Sequence, residues 1–277
     1  GVTANQGLFG HGSSGLLRRQ GRTGPLSETL AGGVAPGEVS KPPVNALDIA
    51  RGYALAHMLD GYRRNPDVRV VLLCAEGRGF CAGVDIKEMQ SLPDNEGILE
   101  ANRSCFEAFR AVYECAVPVV AAVNGHCLGS GIGLVGNADV VIADDDAEFG
   151  LPEVDNGALG AATHLMRLVP AQRARWMLYS CETAMAAELL AYGSVLDVVP
   201  AVELRTRATE AAILIATKDA ATIRAAKASL NGIDPIDVRR SYRYEQGFTY
   251  ELNLRGIGDT ARDAFLRGDR GGEAPSA

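Results

Sequence analysis

Short apolar runs of strand length alternate along the chain with stretches whose apolar residues recur every three or four positions. Asp48 to Arg64 carries apolar residues at 49, 53, 55, 56, 58, 59 and 62, one face of a helix. Val68 to Ala75 reads as a strand, Ile86 to Gln90 as a short segment after its turn, and Ile98 to Cys115 as a long amphipathic helix. Pro118 closes that helix and leads into the strand Val117 to Val123. Asp139 to Ala143, Ala147 to Phe149 and Val195 to Val199 are further strands. Leu159 to Leu168, Ala171 to Ser180 and Ala184 to Tyr192 are helical, the last ending at Gly193, a residue suited to the left-handed turn after a helix. From Ala201 onward the pattern is helical, over 201–218, 220–230 and 235–253.

Strands alternating with helices predict an α/β fold with parallel pairing, followed by a helical layer that packs on the core or on a neighbouring subunit. The first 37 residues are rich in Gly, Ser, Thr and Arg without a sustained period, and read as a flexible segment. Within them and just beyond, Gly32 to Ser40 offers only a poor strand, interrupted by Pro36, so a distorted opening is expected. The expected division is a segment 1–37, a core 38–200 and a C-terminal helical region 201–277.

Composition narrows the function. With 27 Lys+Arg against 34 Asp+Glu the net charge is −7, which gives no electrostatic footprint for nucleic acid. No apolar run reaches membrane-spanning length, and the start has no apolar signal core, so neither a span nor a signal peptide is expected. Six scattered cysteines without a CxxC pair read as small buried thiols in a reduced, cytoplasmic setting. Asp144-Asp145-Asp146 lacks the spacing of a calcium loop and reads as a solvated turn, so no metal is expected. His57 and His164 read as structural.

Two glycine-bearing turns carry the candidate chemistry. Arg78-Gly79-Phe80-Cys81-Ala82-Gly83-Val84-Asp85 follows one strand, and Asn124-Gly125-His126-Cys127-Leu128-Gly129-Ser130-Gly131 follows the next. Strand-to-helix turns present amides without an intrahelical acceptor. Two of them, assigned to Ala82 and Ser130, can face one negative oxygen of an enolate or tetrahedral adduct. Glu153, at the end of Phe149-Gly150-Leu151-Pro152-Glu153, follows an apolar run whose burial would raise its pKa toward neutrality.

These strings, with Lys41-Pro42-Pro43-Val44-Asn45-Ala46-Leu47 and Ala82-Gly83-Val84-Asp85-Ile86-Lys87-Glu88-Met89, resemble the crotonase (enoyl-CoA hydratase/isomerase) superfamily over about residues 39 to 268. The resemblance implies a spiral of ββα units, trimers or hexamers, and acyl-CoA substrates, with CoA entering only as part of the substrate and no separate cofactor. It implies a thioester oxygen held between the amides of Ala82 and Ser130, and Glu153 as the acid/base. Substrate-binding positions are then Lys41, Val44, Ala46, Phe80, Asp85, Ile86, His126, Asp155 and Glu251, the last as a possible second acid/base. For His126 a core role stays open, and for Glu251 an exposed one.

One departure matters. Hydratases of the family use two glutamates, and the first would fall at Gly133 here. A single carboxylate can still move a proton or activate one water. The run from Glu153 to Leu165 and the segment Tyr242 to Leu254 look like an actinobacterial subgroup that includes ring-opening hydrolases of steroid C/D-ring catabolism. The expected reaction is therefore a hydrolytic retro-Claisen opening of a cyclic dione acyl-CoA. The alternatives are a one-glutamate hydratase or Δ3,Δ2-enoyl-CoA isomerase and, in a different class, a non-catalytic binding protein of the same fold.

Overall fold

The structure, a computed structural model, describes residues 32–267. Its elements in order are β1 (Val34–Glu38), α1 (Ile49–Gly61), β2 (Val70–Cys74), β3 (Gly79–Cys81), α2 (Ile86–Ser91), α3 (Glu96–Tyr113), β4 (Val119–Val123), β5 (His126–Leu128), α4 (Ser130–Val135), β6 (Val140–Asp144) and β7 (Glu148–Gly150). There follow α5 (Ala162–Leu165), α6 (Ala171–Ser180), β8 (Ala184–Met185), α7 (Ala186–Tyr192), β9 (Asp197–Val199), α8 (Leu204–Ala216), α9 (Ala220–Ile233), α10 (Val238–Leu254) and α11 (Ile257–Arg267).

One sheet runs β1-β2-β4-β6-β9, parallel throughout, and a second runs β3-β5-β7-β8. Each of β2, β4 and β6 is followed by a short strand of the second sheet and then by a helix. Three such ββα turns make a spiral, and they stack the turns that follow β3 and β5 against each other.

Two-residue alternation decides which face each side chain covers. Val71, Leu73, Val119, Ala121 and Val123 point into the larger core with α1 and α3. Val70, Leu72, Val120, Ala122 and Ile142 point the other way, onto Leu204, Ala208, Ala211, Ala212 and Ala216. Those residues form one stripe of α8, whose small side chains let the helix lie close to the sheet. Tyr242 of α10 enters the larger core. Helices α8 and α10 thus pack on their own chain's core.

Several expectations need correction. The opening strand is regular: β1 pairs with β2 from Val34↔Val70 to Glu38↔Cys74, and the core begins within the segment expected to be flexible. Pro36 is tolerated because β1 is an edge strand, where a missing N–H faces no partner. The expectation for residues 1–31 lies outside the described residues. The glycine turns each contain a short strand, β3 or β5. The helix expected from Leu159 shrinks to α5, because Gly157 and Ala161 adopt left-handed φ angles of 65° and 62°. Helix α11 lies within the expected helical region but past 235–253, the last helical pattern assigned there. Asp144 is buried at the end of β6 and accepts from the Gly125 amide, so the acidic triplet is not wholly a solvated turn. Five of the six cysteines are buried and all six are free; Cys181 is partly exposed.

The entry motif acts as a staple. Asn45 Oδ1 accepts from the Lys41 amide at 2.6 Å, while its Nδ2 donates to the carbonyls of Glu76 and Gly79, both at 2.7 Å. Leu47 then donates to the Gly83 carbonyl at 2.8 Å and accepts from the Asp85 amide at 3.0 Å. Replacing Asn45 by Ala removes three bonds, strands two carbonyls and leaves a left-handed residue without compensation. We expect the Asn45→Ala chain to lose about 2–4 kcal/mol by denaturant titration; a midpoint unchanged from wild type would show that the staple is dispensable.

Candidate active site

A mostly apolar cavity lies where the first two ββα turns meet, closed on its far side by α3, α10 and α11. Val84, Gly129, Ser130 and Glu153 line one end, and Phe109, Tyr242 and Arg262 are among the residues lining the rest. The convergence rests on glycine. A Cβ on Gly129 would sit 3.2 Å from Gly83 Cα, and one on Gly131 would sit 3.1 Å from the Cys81 Cβ. Side chains at 129 and 131 would push the two turns apart.

The sheet register brings Glu153 to the same place. Leu128 of β5 pairs with Gly150 of β7, and the Gly129 amide donates to the Gly150 carbonyl at 3.1 Å. The chain after Gly150 therefore runs alongside Gly129. A Cβ on Gly129 would lie 2.4 Å from Glu153 Oε1, and one on Gly160 would lie 3.6 Å from its Cγ. Glu153 as a residue is partly exposed, yet its Oε2 is buried without a hydrogen-bond partner. Burial pushes this acid up to about 8; its own backbone amide opposes the shift and the Glu245 carboxyl adds to it.

Ser130 is the first residue of α4, and its amide makes no hydrogen bond with any described residue. Its hydroxyl meets Cys81 Sγ at 3.5 Å. On the opposing turn Val84 lines the cavity, whereas the expected Ala82 does not. The reason is strand alternation. Leu47 bonds to the carbonyl of Gly83 and the amide of Asp85, so the Val84 amide between them faces away from Leu47, and it is unpaired.

Gly133 explains the missing second carboxylate physically. A Cβ there would fall 2.2 Å from Phe109 Cζ, inside the ring. The space is already filled by an aromatic side chain of α3. His164 packs edge-on against that ring at 5.0 Å and against Tyr242 at 4.9 Å, and burial holds it down to about 3 and thus neutral. This is the structural role expected for it.

The other expected binding residues divide. Lys41 is engaged by Asp48 at 3.0 Å and Asp85 at 2.5 Å, and both aspartates cap helices, α1 and α2. The Val44 carbonyl meets His126 Nε2 at 3.1 Å, and the His126 ring fills the space over Gly79, so His126 is a brace between loops. Phe80 is wholly buried core. Ala46 and Ile86 are partly buried beside the Leu47–Val84 bridge but do not line the cavity. Asp155 is exposed and outside it. Glu251 is exposed, 3.7 Å from Arg255, and points off the opposite face of α10. That helix instead offers Tyr242, Thr249 and Asn253 to the cavity.

Sequence reasoning missed Val84, Phe109, Thr249, Asn253, Arg262 and Glu245. Glu245 accepts from the amides of Ala162 and Thr163 at 2.9 and 3.2 Å, holding α5 behind the cavity. A signal existed for the α10 face: residues 242, 246, 249 and 253 share one helical stripe. Among the described residues no cluster of His, Cys, Asp and Glu could hold a metal, and no helix is long and apolar enough to cross a membrane.

The spiral, the convergent turns and the enclosed glutamate define a crotonase-fold acyl-CoA enzyme. The enoyl-CoA hydratase/isomerase family model matches residues 30–246, and the chain belongs to that family. Within it, the chain is 55% identical over 243 residues to the "(7aS)-7a-methyl-1,5-dioxo-2,3,5,6,7,7a-hexahydro-1H-indene-carboxyl-CoA hydrolase" of Rhodococcus jostii, covering 88% of this chain and 94% of that protein. It is 54% identical over 241 residues to the Mycobacterium tuberculosis protein of the same name, covering 87% and 98%. Among solved structures, an enoyl-CoA hydratase/isomerase from Xanthobacter autotrophicus Py2 superposes with a TM-score of 0.78 at 27% identity, covering 88% of this chain and 91% of that one.

Because Phe109 occupies the volume next to Gly133, Gly133→Ala overpacks the cavity wall. We expect a loss of about 1–3 kcal/mol in chemical denaturation, partly recovered when Phe109→Leu is added. A neutral Gly133→Ala would show that the ring moves aside freely.

Proposed function

We propose that the protein opens a ring of a cyclic dione carried as a CoA thioester, by hydrolysis of a carbon–carbon bond. The names of the two relatives above 50% identity support this reading. The observation that carries the chemistry is a buried glutamate oxygen, Glu153 Oε2, without a hydrogen-bond partner in a mostly apolar cavity that Val84 and Ser130, whose amides are unpaired, also line.

The thioester oxygen accepts from the amides of Val84 and Ser130. Ionised Glu153 takes a proton from a water whose oxygen attacks the ring ketone. The tetrahedral adduct collapses to a carboxyl group as the ring C–C bond breaks. The bond's electron pair passes into conjugation with the thioester, and the two amides hold the resulting enolate oxygen. Protonated Glu153 then returns its proton to carbon. One water is consumed, and a carboxylate appears on the opened chain. Each amide contributes roughly 3 kcal/mol of transition-state stabilisation, and the proton transfers about 10²- to 10⁴-fold in rate.

Apolar residues left exposed on α9, Leu230 at 62% and Ile233 at 74%, support assembly into the trimer or hexamer that the resemblance implies.

The test is to incubate the full chain with a bicyclic dione-CoA and follow it by fragmentation mass spectrometry. Ring opening with a gain of one water is expected; a simple hydrate or an isobaric product would replace this reading with hydratase or isomerase. Glu153→Gln should lower kcat by 10²- to 10⁴-fold with thioester affinity kept, and near-normal turnover would remove Glu153 from the reaction. Since the ionised form is the active base and burial raises its pKa, kcat/KM should climb with pH and level off above about 8.

A further inference from the structure

The cavity has a second charged residue, and it lies beyond the family match. Arg262 of α11 is only 4% exposed and lines the same chamber as Glu153. The other lining residues are uncharged, and most are apolar. Arg262 sits past residue 246, where the match to the family model ends.

Its position is built rather than incidental. Gly157, just after Glu153, packs against Gly258 and Ile257; a Cβ at 157 would lie 3.0 Å from Gly258 Cα. A Cβ at Gly258 would in turn lie 2.6 Å from Arg262 Nη1. These two glycines let α11 settle on the segment that carries Glu153, with the guanidinium turned inward. Nη1 donates to Asn253 Oδ1 at 2.6 Å, and Asn253 Nδ2 donates to the Thr249 carbonyl at 2.8 Å. Nη2 donates to Asp259 at 2.5 Å, but that carboxylate is 67% exposed. Nε is buried and has no acceptor among the described residues.

A buried guanidinium balanced only by an exposed aspartate, with a donor to spare, suits an anionic oxygen. We propose that Arg262 binds the acyl-group oxygen that becomes the product carboxylate, at the end of the chamber away from the thioester. The assignment rests on the ring-opening function above, which creates that carboxylate from a neutral ketone. Arg262 then serves twice: it accepts the developing charge as water adds to the ketone, and it selects acyl groups with a carbonyl at this depth over plain hydrocarbon chains. The planar fork matches the two oxygens of a carboxylate, which a lysine cannot do.

The test compares affinities for the ring-opened CoA thioester, as the free carboxylate and as its methyl ester. Wild-type enzyme is expected to bind the carboxylate at least tenfold more tightly, and no preference would overturn the assignment before any variant is made. Arg262→Gln should erase the preference and lower kcat/KM on the dione-CoA by roughly 30- to 100-fold, while affinity for butyryl-CoA stays the same. Gly258→Ala, which displaces the guanidinium without removing it, should weaken the preference. An Arg262→Gln enzyme that still prefers the carboxylate would overturn the proposal. If wild-type enzyme fails to open the dione-CoA, the function itself falls; if it opens the ring and Arg262→Gln does so equally well, only the role of Arg262 falls.

Discussion

Desolvation of one carboxyl group is the constraint around which the site is organised. Ionised carboxylates are costly away from water unless they are paired. Glu153 has no cation beside it, and Oε2 has no donor. The surrounding chain accepts this because Gly129 and Gly160 leave room for the side chain, and because Phe109 and Tyr242 exclude water from the far wall. The folded chain therefore favours the protonated acid. Folding raises this pKa above the unfolded value of 4.5, to about 8. Stability from this group is fully present below 4.5 and declines as pH rises through about 8. A group that destabilises the resting protein in this way becomes a stronger base once ionised.

The remaining parts of the site follow from the same enclosure. Amides gain strength as donors where water is absent, and Val84 and Ser130, whose amides are unpaired, line the same chamber as Glu153. Phe109 does two things at once. It excludes water, and it fills the place where a second glutamate would stand beside Gly133. A chamber with a single enclosed acid suits one water attacking one carbonyl better than the paired handling of water across an alkene. Helices α10 and α11 then set how deep an acyl group can reach.

Much of this was legible in the chain because glycine chemistry is local. The motifs around Gly129 and Glu153 name their own conformations, and the isolated glutamate was visible as the pairing of Glu153 with Gly133. What escaped was non-local. Ala82 and Val84 both sit in one turn, but which amide is free depends on Leu47, far upstream, pairing with Gly83 and Asp85. Pro36 looked like an interruption because its strand's edge position cannot be read from one segment. Glu251 was chosen as a carboxylate, whereas the α10 stripe through Thr249 and Asn253 puts residue 251 on the opposite side. Arg262 carried no motif: its meaning comes from Gly157 meeting Gly258, a contact between distant segments.

The most direct measurement is a carboxyl ¹³C NMR titration of the full chain labelled in its glutamates, with Glu153→Gln identifying the resonance. An enclosed, unpaired carboxyl predicts a midpoint at about 8 in the ligand-free protein. A midpoint near the ordinary glutamate value of 4.5 would mean that water or a cation reaches Glu153, and would contradict the account.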